Sequence, residues 1–353
     1  MKITRFLLFF FVSSLFLIAC GDDADPAPGL GDVVVVNEGN FQSADGTLST
    51  INAQTGAVSL AAFASTNGFP MAATIQNVIE HNGLYYAVCN APDKIEVFRK
   101  DNFASLATIR PGVGAPVVFN SPFSLAIIGN TAYVSNWGTL NFTTFIWENS
   151  TLVKVNLLTN ALEEAIALEA QPQHLLVIDG KIYMALVGSD EIAVFDPATD
   201  QIIERIEVPF GPDRMVLDRN DRLWVLCNSG ALVRINPATN AVEATISNIP
   251  NAGFNEKMVI DDEGDTLYWL SSAGFPTTNA VYSLDITQTT VPATPIISGQ
   301  NWYGIGISPG TDILYVADAK AFQSNGEVLR YQANGQPIDT LAAGRGPNGF
   351  LFR

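Results

Sequence analysis

Residues 173–206 read QHLLVIDGKIYMALVGSDEIAVFDPATDQIIERI, which divides into four short apolar runs separated by turn residues. Asp179-Gly180 is a hairpin turn signal, and Asp196-Pro197 opens a longer turn. The runs are rich in β-branched residues and show no sustained helical period. The stretch therefore predicts four antiparallel strands, which we name A to D in chain order.

The same pattern recurs seven times along the chain. Strand B carries one apolar or aromatic landmark in each repeat: Val34, Tyr85, Tyr133, Tyr183, Trp224, Tyr268 and Tyr315. The landmarks are 51, 48, 50, 41, 44 and 47 residues apart, and the 322 residues from Asp32 to Arg353 average 46 per repeat. An all-strand repeat of this length is typical of β-propeller blades. The sequence predicts an all-β, seven-bladed β-propeller with four-stranded blades over residues 32–353.

The two ends of the repeat region complement each other. The region begins with Val33-Val34-Val35-Val36, a strand B with no strand A before it. It ends with residues 346–353, GPNGFLFR, which have the pattern of a strand A with no strand B after it. We expect the C-terminal strand to complete the first blade and close the ring, because closure removes the open sheet edges.

The N-terminal residues have the composition of an export signal. Lys2 and Arg5 precede an apolar run that ends at Ala19, which is too short to cross a bilayer as a helix. Residues 1–19 are therefore predicted to be a signal peptide. Residues 20–31 are acidic and rich in Pro and Gly, which predicts a disordered tether.

The end of this run, Leu17-Ile18-Ala19-Cys20, resembles the lipobox of bacterial lipoproteins. The resemblance implies cleavage before Cys20 and lipidation of its thiol, so that the lipid anchor alone would hold the protein on a membrane. We expect an outer-membrane lipoprotein exposed at the cell surface, with a periplasm-facing anchor as the alternative.

Composition excludes several classes of function. Without Lys2 and Arg5, the chain has 16 basic and 35 acidic residues, so its net charge is 16 − 35 = −19. Nucleic-acid binding is not expected, because so negative a protein repels the phosphate backbone. Cys89 and Cys227 are three repeats apart and are predicted to be buried thiols without a disulfide. The two histidines have no metal-ligand spacing, and no phosphate-binding or dinucleotide motif occurs, so no metal or cofactor is predicted.

Function is expected on the propeller face that carries the D–A and B–C connections, which we call the mouth face. These connections are long and varied, whereas the A–B and C–D turns on the other face are tight. The candidate ligand-binding residues on the mouth face are Asn37, Asn40, Gln76, Asn77, Phe123, Trp137, Phe142, Trp147, Gln173, His174, Arg214, Lys257, Trp302, Tyr303 and Asn348.

Three features of this face leave alternatives open. The aromatic insertion at 137–149 is either a flap beside the channel or a cover for the adjacent blade. Glu256, Asn228 and Asp318 could hold a divalent cation as in propeller lactonases, and His174 alone is a weak candidate for a lyase base. Arg214 and Lys257 either bind an anionic ligand group or pair with the neighbouring Asp213 and Glu256.

The repeats also resemble known families. Tyr133-Val134-Ser135-Asn136 and Tyr315-Val316-Ala317-Asp318 are similar to YVTN-type surface-layer propeller repeats, with Ser135 or Ala317 in place of Thr. The segment 35–43, VVNEGNFQS, resembles the first blade of surface lipoprotein propellers that include cobalamin-capturing partners of TonB-dependent transporters.

This resemblance implies a monomeric, non-catalytic binding module that captures a small molecule such as cobalamin for an outer-membrane transporter. A lactonase-like or lyase-like propeller enzyme and a protein-binding scaffold are the alternatives. A cation at the channel mouth would favour the enzyme, and a flat exposed aromatic patch around Trp137 to Trp147 would favour the scaffold.

Overall fold

A computed structural model describes residues 32–41, 43–249, 257–273 and 278–353, except for the side chain of Ala273. The predicted signal peptide, Cys20, the tether and Glu256 lie outside these ranges. Within them, no helix has both the length and the apolar character needed to cross a membrane.

The described chain forms seven four-stranded antiparallel sheets, as the repeat predicts. The first blade contains β1 (Val33–Asn37), β2 (Thr47–Ile51) and β3 (Val58–Ser59). The second blade contains β4 (Thr74–His81), β5 (Leu84–Ala91), β6 (Asp93–Arg99) and β7 (Ser105–Ile109). The third blade contains β8 (Pro122–Ile128), β9 (Thr131–Asn136), β12 (Thr151–Asn156) and β13 (Ala161–Ala167). Two further strands, β10 (Thr139–Asn141) and β11 (Ile146–Glu148), form a separate hairpin within the third blade's B–C connection.

The remaining blades continue in the same order. The fourth blade contains β14 (Pro172–Ile178), β15 (Lys181–Leu186), β16 (Glu191–Asp196) and β17 (Gln201–Glu207), and the fifth contains β18 (Pro212–Leu217), β19 (Leu223–Cys227), β20 (Ala231–Asn236) and β21 (Ala241–Ser247). The sixth blade contains β22 (Lys257–Ile260), β23 (Thr266–Ala273), β24 (Thr278–Asp285) and β25 (Ile297–Gln300). The seventh blade contains β26 (Trp302–Ile307), β27 (Leu314–Asp318), β28 (Asn325–Tyr331) and β29 (Pro337–Arg345). The helical segments of the described chain are short: α1 (Ala62–Asn67) and a 3₁₀ turn at Lys320–Phe322.

The ring closes through the last strand, β30 (Pro347–Phe352), which pairs with β1. Val33 lies opposite Phe352 and Val35 opposite Phe350 in the antiparallel register. The first blade is therefore ordered β3-β2-β1-β30, which confirms the predicted closure.

The hydrophobic core is divided among the contacts between neighbouring blades. Because side chains alternate between the two sides of a strand, each strand B contributes side chains to the contacts with both neighbouring blades. In β15, Tyr183 packs toward the fifth blade, whereas Ile182 and Met184 pack toward the third. Six of the seven landmark residues pack against the following blade in this way, whereas Tyr85 packs against the first blade and its neighbour Tyr86 against the third.

The two described cysteines also lie in the cores between neighbouring blades. Cys89 and Cys227 are both fully buried and no disulfide joins them, as predicted. Burial raises the pKa of the Cys89 thiol to about 12, so this thiol is not a reactive nucleophile.

Candidate functional site

The strands nearest the channel begin with a repeated irregularity. The third, fourth and fifth blades open strand A with Pro122, Pro172 and Pro212, and the pairing register with strand B shifts just after each proline. A bulge of this kind redirects side chains next to it. The residues that follow each proline consequently point toward the channel.

These residues meet in one ring at the channel mouth, to which every blade contributes at least one side chain. The members of this channel ring are Gln76, Asn77, Phe123, Ser124, Gln173, His174, Asp213, Arg214, Lys257, Tyr303 and Asn348. The cavity that they enclose is small, about 30 Å³, so the channel is nearly closed at this level.

A larger cavity of about 400 Å³ lies on the other side of the channel ring. Its wall beyond the ring is almost entirely apolar, and it includes Val78, Val216, Val259, Ile307 and Phe350. The channel therefore changes from polar to apolar just past the ring.

Nine of the fifteen candidates named from the sequence belong to this ring. They are Gln76, Asn77, Phe123, Gln173, His174, Arg214, Lys257, Tyr303 and Asn348. Their convergence follows from the repeat, because equivalent positions of all strands A surround one axis. That they bind a ligand stays a prediction.

The structure places Asn37, Asn40 and Trp302 elsewhere. Asn37 is fully buried inside the first blade, where it donates to Ser49 Oγ at 2.9 Å and accepts the Gly344 N–H at 3.0 Å. Asn residues lie at or next to the end of strand B in four blades, at positions 37, 90, 136 and 228, so the recurrence indicates a structural role.

Trp302 differs from the expectation because it occupies the position that Pro122, Pro172 and Pro212 have in the third, fourth and fifth blades. Its side chain is buried in the core between the sixth and seventh blades, and its neighbour Tyr303 reaches the channel instead. Asn40 remains in the first B–C connection, where its backbone N–H donates to Asp45 Oδ1 at 2.6 Å.

The aromatic insertion is a hairpin whose base is anchored at the ring. Trp137 stacks on Phe123 with ring centroids 4.4 Å apart, and Trp147 packs edge-on against Trp137 at 5.0 Å. At the tip, Phe142 and Phe145 are 79% and 76% exposed. The base thus extends the apolar wall of the mouth, whereas the tip covers no blade.

Two acidic residues of the site were absent from the candidates named from the sequence. Asp213 is a ring member, and the recurring Pro-x-x pattern of strand A was the signal for it and for Ser124. Glu38 lies between the two candidates Asn37 and Asn40, and it accepts a hydrogen bond from Gln76 Nε2 at 3.1 Å. No sequence signal separated Glu38 from its neighbours.

Burial dominates the electrostatics of the ring. It raises the pKa of Asp213 to about 6, against the opposing effect of Lys257 and Arg214. Burial, together with Arg214 and Lys257, holds the His174 pKa well below its usual range. The Met215 backbone N–H donates to His174 Nδ1 at 3.3 Å, so the neutral ring carries its proton on Nε2. His174 is therefore a hydrogen-bond donor to the channel and a poor general base.

The two cations of the ring lie close enough to influence each other. Burial and then the Arg214 charge lower the pKa of Lys257, whose ammonium lies 5.5 Å from the centroid of the Tyr303 ring. Neither Arg214 nor Lys257 forms an ion pair with a carboxylate of the described chain, so the expected Arg214–Asp213 pair is absent there. Glu256, the expected partner of Lys257, is outside the described ranges.

The described residues contain no cluster of three or more His, Cys, Asp or Glu that could hold a metal ion. In the cation set considered from the sequence, Asp318 instead pairs with Lys320 at 2.7 Å. Asn228 Oδ1 is buried without a hydrogen-bond partner in the described part of the chain.

Fold and site together define a seven-bladed β-propeller with a ring-lined channel mouth. The chain belongs to the family DUF5074, a domain of unknown function, whose family model matches residues 32–347. The comparison with curated proteins gave no match.

Several solved structures share the fold. A quinonprotein alcohol dehydrogenase-like protein from Bacteroides thetaiotaomicron is 16% identical, with a TM-score of 0.67 over 92% of this chain and 78% of that one. Kuenenia stuttgartiensis hydrazine synthase is 12% identical, with a TM-score of 0.63 over 78% and 88%. Dihydro-heme d1 dehydrogenase NirN, in complex with DHE, is 12% identical, with a TM-score of 0.53 over 91% and 75%. At these identities, the similarity concerns the fold alone.

Proposed function

We propose that the protein is a non-catalytic binding module that captures a small molecule at its channel mouth. The observation that carries this proposal is the channel ring, in which all seven blades direct side chains to one point beside an aromatic wall. A concave site with apolar walls and a few convergent polar groups is the usual form of a ligand site.

Two buried polar atoms near the mouth support a ligand with both donors and acceptors. Within the described chain, Gln173 Oε1 and Trp137 Nε1 have no hydrogen-bond partner. Burying such a group unpaired costs about 1–3 kcal/mol, so a ligand that pairs with them would recover this free energy. The state of His174 favours binding over acid–base catalysis, although the hydrolase and lyase alternatives keep the same site.

Cobalamin is the candidate ligand that we propose to test first. A corrin ring carries many amide side chains around a broad apolar face, which suits a mouth that combines Gln76, Asn77, Gln173 and Asn348 with an aromatic wall. The cavity within the channel ring is only about 30 Å³, which is far smaller than cobalamin. Cobalamin would therefore lie on the outer side of the ring, with only a small group inserted into the cavity.

We expect calorimetric titration of cyanocobalamin into the full chain to give a dissociation constant below about 1 μM. Phe123→Ala removes the stacked wall at Trp137 and should weaken binding about tenfold or more, since aromatic anchors dominate such sites. Leu158→Ala is the matched control, because Leu158 is 74% exposed in the C–D turn of the same blade on the opposite face. Absence of binding at tens of μM, on the order of 10⁻⁵ M, would eliminate cobalamin.

We further propose that Cys20 is lipidated and anchors the protein in the outer membrane beside a transporter that receives the ligand. The exposed hairpin tip at Phe142 and Phe145 is the surface that we assign to that partner, and a scaffold function would use the same tip.

Metabolic labelling with a fatty acid tests the anchor. Label should be incorporated into the wild type and into Cys89→Ala, and it should be lost from Cys20→Ser, which should also leave the membrane fraction. Protease digestion of intact cells then reports whether the protein faces outward. Labelling that persists in Cys20→Ser would refute the anchor at this position.

A further inference from the structure

The most unusual electrostatic feature of the chain is the pair of cations in the channel ring. The protein has 35 acidic and 18 basic residues, yet Arg214 and Lys257 lie on strands A of adjacent blades and share one small cavity. Two like charges held together at a partly buried site repel each other and lose hydration. A negative charge beside the two cations would offset this repulsion and the lost hydration.

Asp213 and Glu38 attract these cations electrostatically, but neither forms an ion pair with Arg214 or Lys257 in the described chain. Glu38 accepts a hydrogen bond from the neutral Gln76 amide at 3.1 Å, and its charge also favours the protonated form of Lys257. Asp213 favours the charged forms of Arg214 and Lys257 without a direct ion pair to either in the described chain. In the described chain, both cationic heads therefore lack a direct carboxylate partner and are positioned to pair with a ligand group.

Gln173 indicates, independently of the two cations, that a ligand with a hydrogen-bond donor fits this ring. It is 6% exposed and belongs to the channel ring. Its side chain favours the ionised form of Asp213, and its Oε1 has no hydrogen-bond partner within the described chain. His174 presents an Nε2–H donor at the adjacent position, because its Nδ1 already accepts the Met215 N–H. The ring thus offers cationic and neutral donors together with one unused acceptor.

The cavities limit what can occupy this point. The cavity within the ring, about 30 Å³, has room for a small group of about two oxygen atoms and excludes a larger one. Beyond it the channel wall becomes apolar, and a charged group that moved there would lose its hydration without pairing. A small anionic group would consequently stop at the level of Arg214 and Lys257.

From these observations we infer that the channel ring is an oxyanion subsite, in which Arg214 and Lys257 bind a carboxylate or phosphate group of the captured ligand. The inference rests on the proposed ligand capture at the mouth. It adds that the ligand is anionic at one end and enters that end first.

The direct test uses simple anions and the full chain. Inorganic phosphate and carbon-labelled acetate are titrated in separate NMR experiments, which distinguish the two oxyanion classes. Arg214→Gln and Lys257→Gln should each weaken binding of the preferred anion about tenfold, whereas Arg214→Lys should retain most of it. Arg222→Gln is the control, since Arg222 lies in the A–B turn of the same blade and pairs with Glu243. Binding of neither anion, or equal binding to all variants, would overturn the subsite.

The acetate titration also has an expected pH dependence. Asp213 faces Arg214 and Lys257, with Gln173 and His174 beside it and Glu38 across the ring. As pH falls through about 6, Asp213 becomes neutral, so a competing negative charge is lost while acetate stays ionised. Acetate should bind several-fold more tightly at pH about 5.5 than at about 7.5, and Asp213→Asn should remove this difference.

A second experiment tests the oxyanion subsite independently of whether cobalamin is the ligand. Cyanocobalamin carries a phosphodiester, whereas dicyanocobinamide lacks it. Arg214→Gln should weaken cyanocobalamin about tenfold and leave dicyanocobinamide unchanged. If neither corrinoid binds the wild type while phosphate or acetate still depends on Arg214, cobalamin capture fails and the subsite stands. Equal weakening of both corrinoids would assign Arg214 to a general structural role.

Discussion

A chain that ends at Gly346, without β30, is expected to lose its cooperatively folded state. The last strand pairs with β1 in one sheet, and its Phe350, Leu351 and Phe352 pack against the cores that join the first blade to its two neighbours. Burial of one large apolar side chain is worth up to about 1.5–3 kcal/mol, so losing these three together with the strand pairing forfeits a large part of the total stability of a typical domain, about 5–15 kcal/mol. The open first blade would also present an unpaired edge, which promotes aggregation.

Near-ultraviolet circular dichroism and gel filtration measure this result. The truncated chain should lack a sharp thermal transition and should elute as aggregates. A chain that ends at Phe352 is the control, because it loses only the exposed Arg353 and keeps every residue of β30. If the chain ending at Gly346 instead melts sharply within a few degrees of the control, closure by β30 does not stabilise the ring.

Trp224→Ala is expected to cause a large loss of stability in a single substitution. Trp224 is fully buried in the core between the fifth and sixth blades, and its Nε1 donates to Asp218 Oδ2 at 2.9 Å. Truncating a buried tryptophan costs about 3–5 kcal/mol through lost burial and the cavity left behind. Asp218 also holds the A–B turn by accepting the N–H groups of Asn220 and Arg222, and it would lose one partner.

Equilibrium unfolding in urea, followed by two spectroscopic probes, quantifies the loss. Trp224→Phe keeps an aromatic ring but removes the hydrogen bond, so it should cost less than Trp224→Ala, about 1–3 kcal/mol. Trp147→Ala is the matched tryptophan control, because Trp147 is half-buried on the hairpin outside the blade cores and should cost under about 1 kcal/mol. Equal losses for Trp224→Ala and Trp147→Ala would contradict the assignment of Trp224 to the core.

The electrostatic predictions concern a different level of the molecule. The Trp224 and β30 variants alter contacts between or within blades, whereas Arg214, Lys257 and Asp213 face the channel and hold no blade together by an ion pair in the described chain. Variants of the first kind should lower stability, and variants of the second kind should change ligand affinity at nearly constant stability. A protein in which both sets changed both properties would not have a rigid ring that presents a separate site.

Much of the architecture could be predicted from the sequence because it depends on local patterns that repeat. A period of two residues within each strand and about 46 residues per repeat, as between Tyr268 and Tyr315, predicts both the blades and their number. The unmatched strands at the two ends predict the closure. The same periodicity predicts which side of the ring the variable connections occupy, and therefore the neighbourhood of Gln173, Arg214 and Tyr303.

Side-chain direction at irregular positions depended on tertiary structure. Trp302 and Tyr303 are adjacent, and only the bulge in strand A decides that Trp302 enters the core while Tyr303 faces the channel. Asn37 and Glu38 are adjacent in sequence, but the pleat buries Asn37 among the strands and turns Glu38 toward Gln76. The shifted pKa of Asp213 likewise arises from burial among strands of several blades. Local sequence determines repeating strands because their period is local, whereas a site assembled from seven distant segments exists only once the ring is closed.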